Sequence, residues 1–252
     1  MINAGASNGI RLYGDLLVRC ISNTIYSDIA CDPWSAGTYD GSKRADGRDW
    51  PSKAHSMVGV KRLENLRLLT EQALADSIPG DFIETGVWRG GACILMRGLL
   101  AAHAVVDRTV FVADSFEGLP KADTAAYPAD EGDTHNEYAE LAISLETVMA
   151  NFAIYGLLDS QVQFLKGWFK DTLPTLNMHK FALIRLDGDM YESTMDALVN
   201  LYSKLSPGGF CIIDDYGAVP ACKLAVQDFR TAHGVSAPIS QIDWTGVWWR
   251  KD

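Results

Sequence analysis

The sequence predicts an α/β fold, Rossmann-like, with a mostly parallel sheet of seven strands and helices on both faces. From residue 81 onward, short apolar runs alternate with amphipathic helical stretches. The apolar runs lack the polar alternation of a half-exposed strand, which indicates strands that are buried on both faces. A chain of 252 residues with 48% hydrophobic content is long enough for one large domain of this kind.

Two helices are predicted before the sheet begins. Apolar residues recur at helical spacing over residues 10–27, and a second helix is predicted near residues 60–77. Residues 32–57, between them, are rich in Gly, Ser, Asp and Trp. This composition predicts an irregular segment that is ordered where its aromatic side chains dock.

Seven apolar runs are predicted to form the strands. They are residues 81–85, 109–114, 162–167, 181–187, 209–215, 239–242 and 247–250. The last two flank the turn sequence DWTG, which predicts a terminal antiparallel hairpin. Helices are predicted between the earlier strands and before the hairpin, at residues 90–104, 143–156, 191–205 and 220–233.

An insertion over about residues 118–140 interrupts this regular alternation. The segment is polar and acidic, and it is too long for an ordinary connection between a strand and a helix. Long loops of this kind often close over ligands, so we expect a lid here.

The composition of the chain argues against several classes of binding partner. The formal charge of −10 disfavours nucleic acid and anionic membranes, and it suits a cationic ligand or a metal ion, or else simple solubility. The five cysteines form no CxxC pair, which predicts reduced thiols in a cytoplasmic protein. No stretch has the layout of a signal peptide or the roughly 18 apolar residues of a membrane span, so we expect no membrane partner.

The first crossover has the character of a ligand-binding turn. In open parallel sheets, ligands collect beyond the carboxyl ends of the strands, and the sequence ETGVWRGG begins at such an end. Its Gly86, Gly90 and Gly91 let the backbone approach a ligand, although a purely structural turn explains them as well. Glu84 would repel a phosphate, whereas the sulfonium and ammonium groups of S-adenosylmethionine would be attracted.

The next two strand ends carry residues that suit a nucleoside. Asp114 follows the second strand, where a carboxylate can accept hydrogen bonds from both ribose hydroxyls. Asp114 and Ser115 would also serve as helix caps, and that alternative stays open. Trp168 and Phe169, after the third strand, could stack on an adenine or belong to the core.

Four aspartates follow two strands that one helix separates in the sequence. Asp187, Asp189, Asp214 and Asp215 can therefore converge if these strands are neighbours. Carboxylate oxygens in this number favour an octahedral divalent cation such as Mg²⁺, although helix capping by one of them is an alternative. An alcohol must lose its proton as it attacks, and a metal with one spare aspartate meets that need.

Five ordered motifs carry a resemblance to a known family. They are DFIETGVWRGG, VADSFEGLP, GWFKDTLP, LDGDMYESTMDAL and PGGFCIIDDYG, preceded by RDWPSKAHSMVGVKRLENL. Together they resemble the macrocin O-methyltransferase family, which methylates sugar hydroxyls in macrolide and aminocoumarin antibiotic pathways. The resemblance covers nearly the whole chain from about residue 45. It implies a class I methyltransferase fold that uses S-adenosylmethionine and Mg²⁺.

The resemblance also implies roles for individual residues. Asp187, Asp214 and Asp215 look like metal ligands, and Asp189 looks like the general base. Residues expected to contact the cofactor are Met57, Glu84, Thr85, Gly86, Asp114, Ser115, Trp168 and Asp187. The chain would then divide into N-terminal helices with a cofactor-covering segment, residues 1–78, and a catalytic domain, residues 79–252.

Two other functions compete with a sugar O-methyltransferase. The sequence DGD could be the metal-binding motif of a nucleotide-sugar glycosyltransferase, although this leaves DDYG and Glu84 unexplained. A non-catalytic cofactor-binding homologue is the third hypothesis. The expected partner is a small glycoside or sugar acceptor. The N-terminal helix and seven Trp leave apolar surface that predicts a homodimer.

Overall fold

The computed structural model describes residues 4–252, with side chains from residue 8 onward, and contains one seven-stranded sheet. The strands are β1 (Asp81–Thr85), β2 (Val110–Asp114), β3 (Val162–Lys166), β4 (Phe181–Leu186), β5 (Leu205–Ile213), β6 (Ser240–Gln241) and β7 (Val247–Arg250). They lie in the order β3-β2-β1-β4-β5-β7-β6. Strands β1 to β5 are parallel, and β7 is antiparallel to both of its neighbours. The predicted seven-stranded, mostly parallel sheet with a terminal antiparallel pair is confirmed.

Strand β5 differs most from its prediction, since it begins at Leu205 and ends at Ile213, whereas residues 209–215 were expected. Its start was hidden because Pro207, Gly208 and Gly209 interrupt the apolar pattern. Gly208 has a positive φ of 78°, and the pairing with β4 shifts register at this point. An irregular strand entry of this kind carries no periodic signal.

Eight α-helices surround the sheet in the described residues. They are α1 (Ala4–Ile21), α2 (Gly41–Asp46), α3 (Gly59–Ala75), α4 (Gly91–Ala102), α5 (Leu145–Ile154), α6 (Phe169–Thr172), α7 (Tyr191–Leu201) and α8 (Pro220–Ala232). The six predicted helices are all present, although α1 ends six residues before its expected limit. The short helices α2 and α6 were not predicted, because four to six residues are too few to show a helical period.

Two hydrophobic clusters cover the two faces of the sheet. The first joins α1, α3, α4 and α5 to one face through side chains such as Leu17, Leu66 and Phe152. The second packs α7 and α8 on the other face through Leu198 and Val226. The N-terminal helices therefore share a core with the first crossover helix. None of the helices in residues 4–252 combines the length and the apolar composition that a membrane span requires.

The strand order reverses between β1 and β4, which lie side by side at the centre of the sheet. Connections leave these two strands in opposite directions, so their carboxyl ends border an open crevice. The insertion at residues 118–140 contains short 3-10 turns at Pro128–Asp130 and His135–Glu137, and it lies at the same end of the sheet. This arrangement places the predicted site residues together.

Candidate active site

A cavity of about 720 Å³ lies at the carboxyl ends of the parallel strands. Its wall includes ten of the eleven predicted site residues: Met57, Glu84, Gly86, Asp114, Ser115, Trp168, Asp187, Asp189, Asp214 and Asp215. The exception is Thr85, whose side chain is fully buried outside the cavity wall. Ligand pockets in doubly wound α/β folds form at this place, so the cavity is the candidate active site.

The turn after β1 lies against the end of β4. Thr85 contributes its backbone carbonyl, which accepts a hydrogen bond of 2.9 Å from the Asp187 N–H. Gly86 has a φ of 78°, and a Cβ atom on it would lie 1.6 Å from the Asp187 carbonyl oxygen. Only glycine fits this position, because any side chain would separate the two strand ends. The glycine therefore brings the first crossover against the aspartate pair of β4.

Asp114, the last residue of β2, accepts hydrogen bonds from the loop after β1 and from the loop after β2. One carboxylate oxygen accepts a 2.7 Å hydrogen bond from the Val87 N–H, and the other accepts a 2.7 Å bond from the Phe116 N–H. Burial raises the pKa of the Asp114 carboxyl above its ordinary value. Ser115 donates to the Gly118 carbonyl oxygen over 2.6 Å. The helix-cap alternative is wrong for both residues, because these bonds close loop turns and no helical turn begins after β2 until Pro128. Both residues also line the cavity.

Glu84 has a partner that the sequence analysis did not include. Its carboxylate forms a buried ion pair with Arg185 and accepts a hydrogen bond of 2.9 Å from the Cys93 thiol. The charge that was expected to repel a phosphate is thus compensated by a guanidinium group. The argument from Glu84 toward a cationic ligand loses weight for this reason, although the side chain does line the cavity.

The predicted aspartate cluster is present. Asp187, Asp214 and Asp215 each place one carboxylate oxygen within 4.8 Å of the others, because β4 and β5 are paired neighbours. Ligand oxygens around a single divalent cation are separated by at most about 4 to 5 Å. Asp189 lies in the same wall with a φ of 53°, and its N–H donates to Asp215 over 3.2 Å.

Two buried arginines also contact this cluster. Arg185 of β4 pairs with Asp187 at 2.7 Å and with Asp214, and Arg62 of α3 pairs with Asp214 and with Asp243. Sequence analysis missed both arginines. The position of Arg185 could have indicated its role, since a charged residue inside a strand that is buried on both faces requires charged partners.

The charges in this part of the site do not balance. Six carboxyl groups, on Glu84, Asp187, Asp189, Asp214, Asp215 and Asp243, lie around the two guanidinium groups. Burial, followed by the nearby charge of Asp214, raises the pKa of Asp187 to about 8. A divalent cation would compensate two of the negative charges that these carboxyl groups carry when they are ionised, and carboxylate oxygens are the ligands that Mg²⁺ and Ca²⁺ prefer. The residues present therefore fit such an ion.

The N-terminal segment closes one side of the cavity over the start of α4. The Gly91 N–H donates to the His55 carbonyl oxygen over 2.9 Å, and Arg89 donates to the carbonyl oxygens of Pro51 and Ala54 at the same distance. Met57, two residues after His55, lines the cavity. The Gly91 N–H and the Arg89 guanidinium thus fix this covering segment on the turn after β1 and the start of α4.

Aromatic side chains and a histidine also line the cavity. Trp34 and Trp50 meet edge to face with ring centroids 4.9 Å apart, and both line the cavity. His135 enters from the insertion, with Nδ1 2.8 Å from a carboxylate oxygen of Asp133. The hydrogen bond with Asp133 raises the pKa of His135. The cavity thus offers both apolar and polar surface to a ligand.

Comparison with known proteins places the chain among methyltransferases. The sequence pattern of the macrocin-O-methyltransferase family matches residues 12–251. The chain is 55% identical over 244 residues to the 8-demethyl-8-(2,3-dimethoxy-alpha-L-rhamnosyl)-tetracenomycin-C 4'-O-methyltransferase of Streptomyces olivaceus, which covers 95% of this chain and 92% of that protein. It is 52% identical over 250 residues to the mycinamicin III 3''-O-methyltransferase of Micromonospora griseorubida, with 97% and 98% covered.

A solved structure resembles the whole fold. The structure of the O-methyltransferase NovP superimposes with a TM-score of 0.92 at 49% sequence identity. The match covers 96% of this chain and 99% of that one. The similarity therefore includes the N-terminal helices and the insertion as well as the sheet.

Proposed function

Since the chain belongs to the macrocin-O-methyltransferase family, and is therefore an O-methyltransferase that uses S-adenosylmethionine, we propose that it methylates a sugar hydroxyl of a glycosylated secondary metabolite. The observation that carries this proposal is the 50% or greater identity to enzymes named for methyl transfer to glycosylated tetracenomycin and to mycinamicin. The cavity supports it, because a lone aspartate stands beside a three-carboxylate cluster in its wall.

Family membership also bears on the predicted fold, on the assignment of the chain as an enzyme and on the two alternative functions. The predicted class I methyltransferase fold is confirmed, as is the assignment of the chain as an enzyme. The glycosyltransferase hypothesis and the non-catalytic hypothesis are set aside, because the relatives that match nearly the whole chain are named O-methyltransferases.

We propose that Asp187, Asp214 and Asp215 hold Mg²⁺. The support is the convergence of their oxygens and the excess of carboxylates over arginines around them. A bound divalent cation lowers the pKa of a coordinated hydroxyl group. Arg62 and Arg185 occupy both oxygens of Asp214, but each carboxylate oxygen has two acceptor sites and can serve a cation as well. The arginines would thus orient Asp214 as a ligand.

Asp189 is the proposed general base. It lies within two residues of Asp187 but is not part of the three-oxygen group, so its carboxylate can face an acceptor hydroxyl. Burial raises the pKa of Asp189 above its ordinary value. A base whose pKa moves toward neutrality accepts a proton more effectively at neutral pH than an ordinary carboxylate does. The acceptor oxygen would lose its proton to Asp189 as it attacks the methyl carbon of the cofactor, and the bond between that carbon and the sulfonium sulfur would break to release S-adenosylhomocysteine.

The cofactor is proposed to lie against the ends of β1 and β2. Gly86 leaves room for close approach, Asp114 and Ser115 lie where ribose hydroxyls would bind, and Trp168 offers a ring for the adenine. Met57 would cover the ligand from the N-terminal segment. The remaining space, toward Trp50 and His135, is then left for the sugar acceptor.

Calorimetry with S-adenosylhomocysteine, the product form of the cofactor, tests the proposal at its first step. We expect one binding site with a micromolar dissociation constant. Failure to bind below about millimolar concentration, or about −4 kcal/mol, would contradict the cofactor assignment. Incubation with S-adenosylmethionine and a panel of deoxysugar glycosides should then give a product heavier by one methyl group, as measured by mass spectrometry.

Gly91→Ala is expected to weaken S-adenosylhomocysteine binding by about tenfold. A Cβ atom at Gly91 would lie 2.4 Å from the His55 carbonyl oxygen, so the covering segment with Met57 must move away from the cavity. Overpacking of this kind costs about 1–3 kcal/mol, and tenfold in affinity corresponds to about 1.4 kcal/mol. Gly9→Ala is the matched control, since no atom lies within 4 Å of a Cβ there. Equal affinities of the two variants would contradict the proposed role of the covering segment.

The homodimer and the cytoplasmic location remain proposals. An exposed apolar stripe on α1 supports the dimer, because Leu12 and Leu16, one helical turn apart, are 52% and 53% exposed. Free thiols at all five cysteines support a reducing compartment.

A further inference from the structure

We propose that Asp130, in the insertion, is a positioning residue that fixes the turn carrying Asp189. The inference rests on the proposed function, because it assigns Asp130 a role through the proposed base. It also changes the meaning of the insertion, which was predicted only as a lid. The geometry points to a fixed contact, here called the brace, between Asp130 in the insertion and the start of α7, directly after the turn that carries Asp189.

Asp130 supplies the N-terminal cap that α7 lacks locally. The residue is 1% exposed, with Oδ1 2.6 Å from the Tyr191 nitrogen and Oδ2 3.0 Å from the Glu192 nitrogen. These are the first two residues of α7, and Met190 at the capping position makes no side-chain hydrogen bond to the helix. Both carboxylate oxygens therefore satisfy backbone donors that have no partner within the helix.

The turn between β4 and α7 needs support at both of its ends. Asp189 has a φ of 53°, a left-handed conformation that costs a non-glycine residue about 1–2 kcal/mol. The Asp187 N–H is held by the Thr85 carbonyl oxygen at the β4 end. At the α7 end, the contacts with Asp130 hold the chain only two residues after Asp189. Loss of either support would let the strained turn relax and move the base.

Asp130 also connects this turn to the segment of the insertion that carries His135. Its backbone carbonyl accepts a 3.1 Å hydrogen bond from the Asp133 N–H, and the Asp133 carboxylate holds His135. Asp130 thus links the turn that carries Asp189 to the part of the insertion that carries His135. It forms no ion pair with a basic side chain of the described residues, so its charge is stabilised by the backbone N–H groups at the start of α7.

Removing this brace is expected to lower kcat by about 10- to 100-fold, the usual effect of displacing a reacting group by about 1 Å or of losing a supporting residue. Asp130→Ala removes both acceptors, and Asp130→Asn retains one. We expect kcat per S-adenosylhomocysteine-binding site to decrease from wild type to Asp130→Asn and again to Asp130→Ala. Normalising to binding sites removes any loss of folded protein, and the affinity for S-adenosylhomocysteine should stay within about twofold.

Asp81→Asn is the matched control. The Asp81 carboxylate also accepts a backbone hydrogen bond from a distant segment, at Thr109, but it lies at the opposite end of the sheet. Its kcat per site should equal that of wild type. If Asp130→Ala binds no S-adenosylhomocysteine because it does not fold, the values of kcat per site of Asp130→Asn and Asp81→Asn are compared instead. A lower value in Asp130→Asn supports the inference, and equal values contradict it.

Hydrogen exchange followed by mass spectrometry gives a readout that is independent of turnover. In Asp130→Asn, protection should fall together in residues 127–136 and in residues 187–195, and nowhere else. Protection lost only in the insertion, or a kcat per site within twofold of wild type, would overturn the inference. Wild-type protein that binds S-adenosylhomocysteine and methylates no glycoside would instead contradict the proposed function, whatever the result at Asp130.

Discussion

Replacing Asp189 by Asn is expected to lower kcat by about 10²- to 10⁴-fold, the range that general-base catalysis contributes. An acceptor hydroxyl has a pKa far above neutrality, so it must transfer its proton during the attack. The amide has the shape of the carboxylate but cannot accept that proton. Affinity for S-adenosylhomocysteine should stay within about twofold, because the proposed cofactor contacts lie at the ends of β1 and β2.

The pH dependence of kcat provides a second measurement on the same variant. Burial raises the pKa of Asp189, so the wild-type rate should fall as the pH drops through that value and the base becomes protonated. The residual rate of Asp189→Asn should lack this decline on the acid side. Asp228→Asn is the control: Asp228 accepts a 3.0 Å bond from the Tyr191 hydroxyl but does not line the cavity. A wild-type kcat in Asp189→Asn would refute the assigned base.

The sheet and the place of the site were predictable from local pattern. Apolar runs such as residues 81–85 carry their own strand signal, and the carboxyl ends of parallel strands must meet at one edge. The convergence of Asp187 with Asp214 follows from the pairing of β4 with β5. Both inferences need only periodicity and topology.

The partners of these residues could not be predicted in the same way. Arg62 reaches Asp214 from a helix 152 positions away, and Asp130 caps α7 from 61 positions away. Such contacts depend on how separate segments pack, and no local pattern records that. Sequence signals for helix capping lie within about one turn of the helix end. A cap supplied by a residue far away in the sequence therefore cannot be recognised from them. The charge balance around Glu84 was misjudged for the same reason, because Arg185 lies on another strand.

Removal of divalent cations is expected to abolish turnover, with recovery on addition of Mg²⁺. The proposed ligands would then leave an acceptor hydroxyl with its ordinary pKa, and Asp189 alone could not deprotonate it at a useful rate. Activity that survives exhaustive chelation would remove the metal from the mechanism. Asp215→Asn should lose the Mg²⁺ response, because it removes one of the three converging carboxylates. Asp228→Asn should keep the response.

Thermal unfolding at several pH values tests the metal site without any substrate. The Asp187 carboxyl has a pKa of about 8 in the folded, metal-free protein, whereas an unfolded aspartate has a pKa of about 3.9. Between these values the folded state retains a proton that the unfolded state has released. The contribution of Asp187 to stability therefore decreases as the pH rises from about 4 to about 8.

Mg²⁺ should reverse this trend. The cation requires the ionised carboxylate, so its apparent affinity should increase by up to about tenfold per pH unit as the pH approaches 8. The rise in Tm at a fixed Mg²⁺ concentration should consequently be larger near pH 8 than near pH 6. A shift in Tm that is the same at both pH values would mean that binding releases no proton, and the cation would then lie elsewhere than at Asp187. The pH dependence thus distinguishes a metal in the aspartate cluster from one bound at the acidic surface.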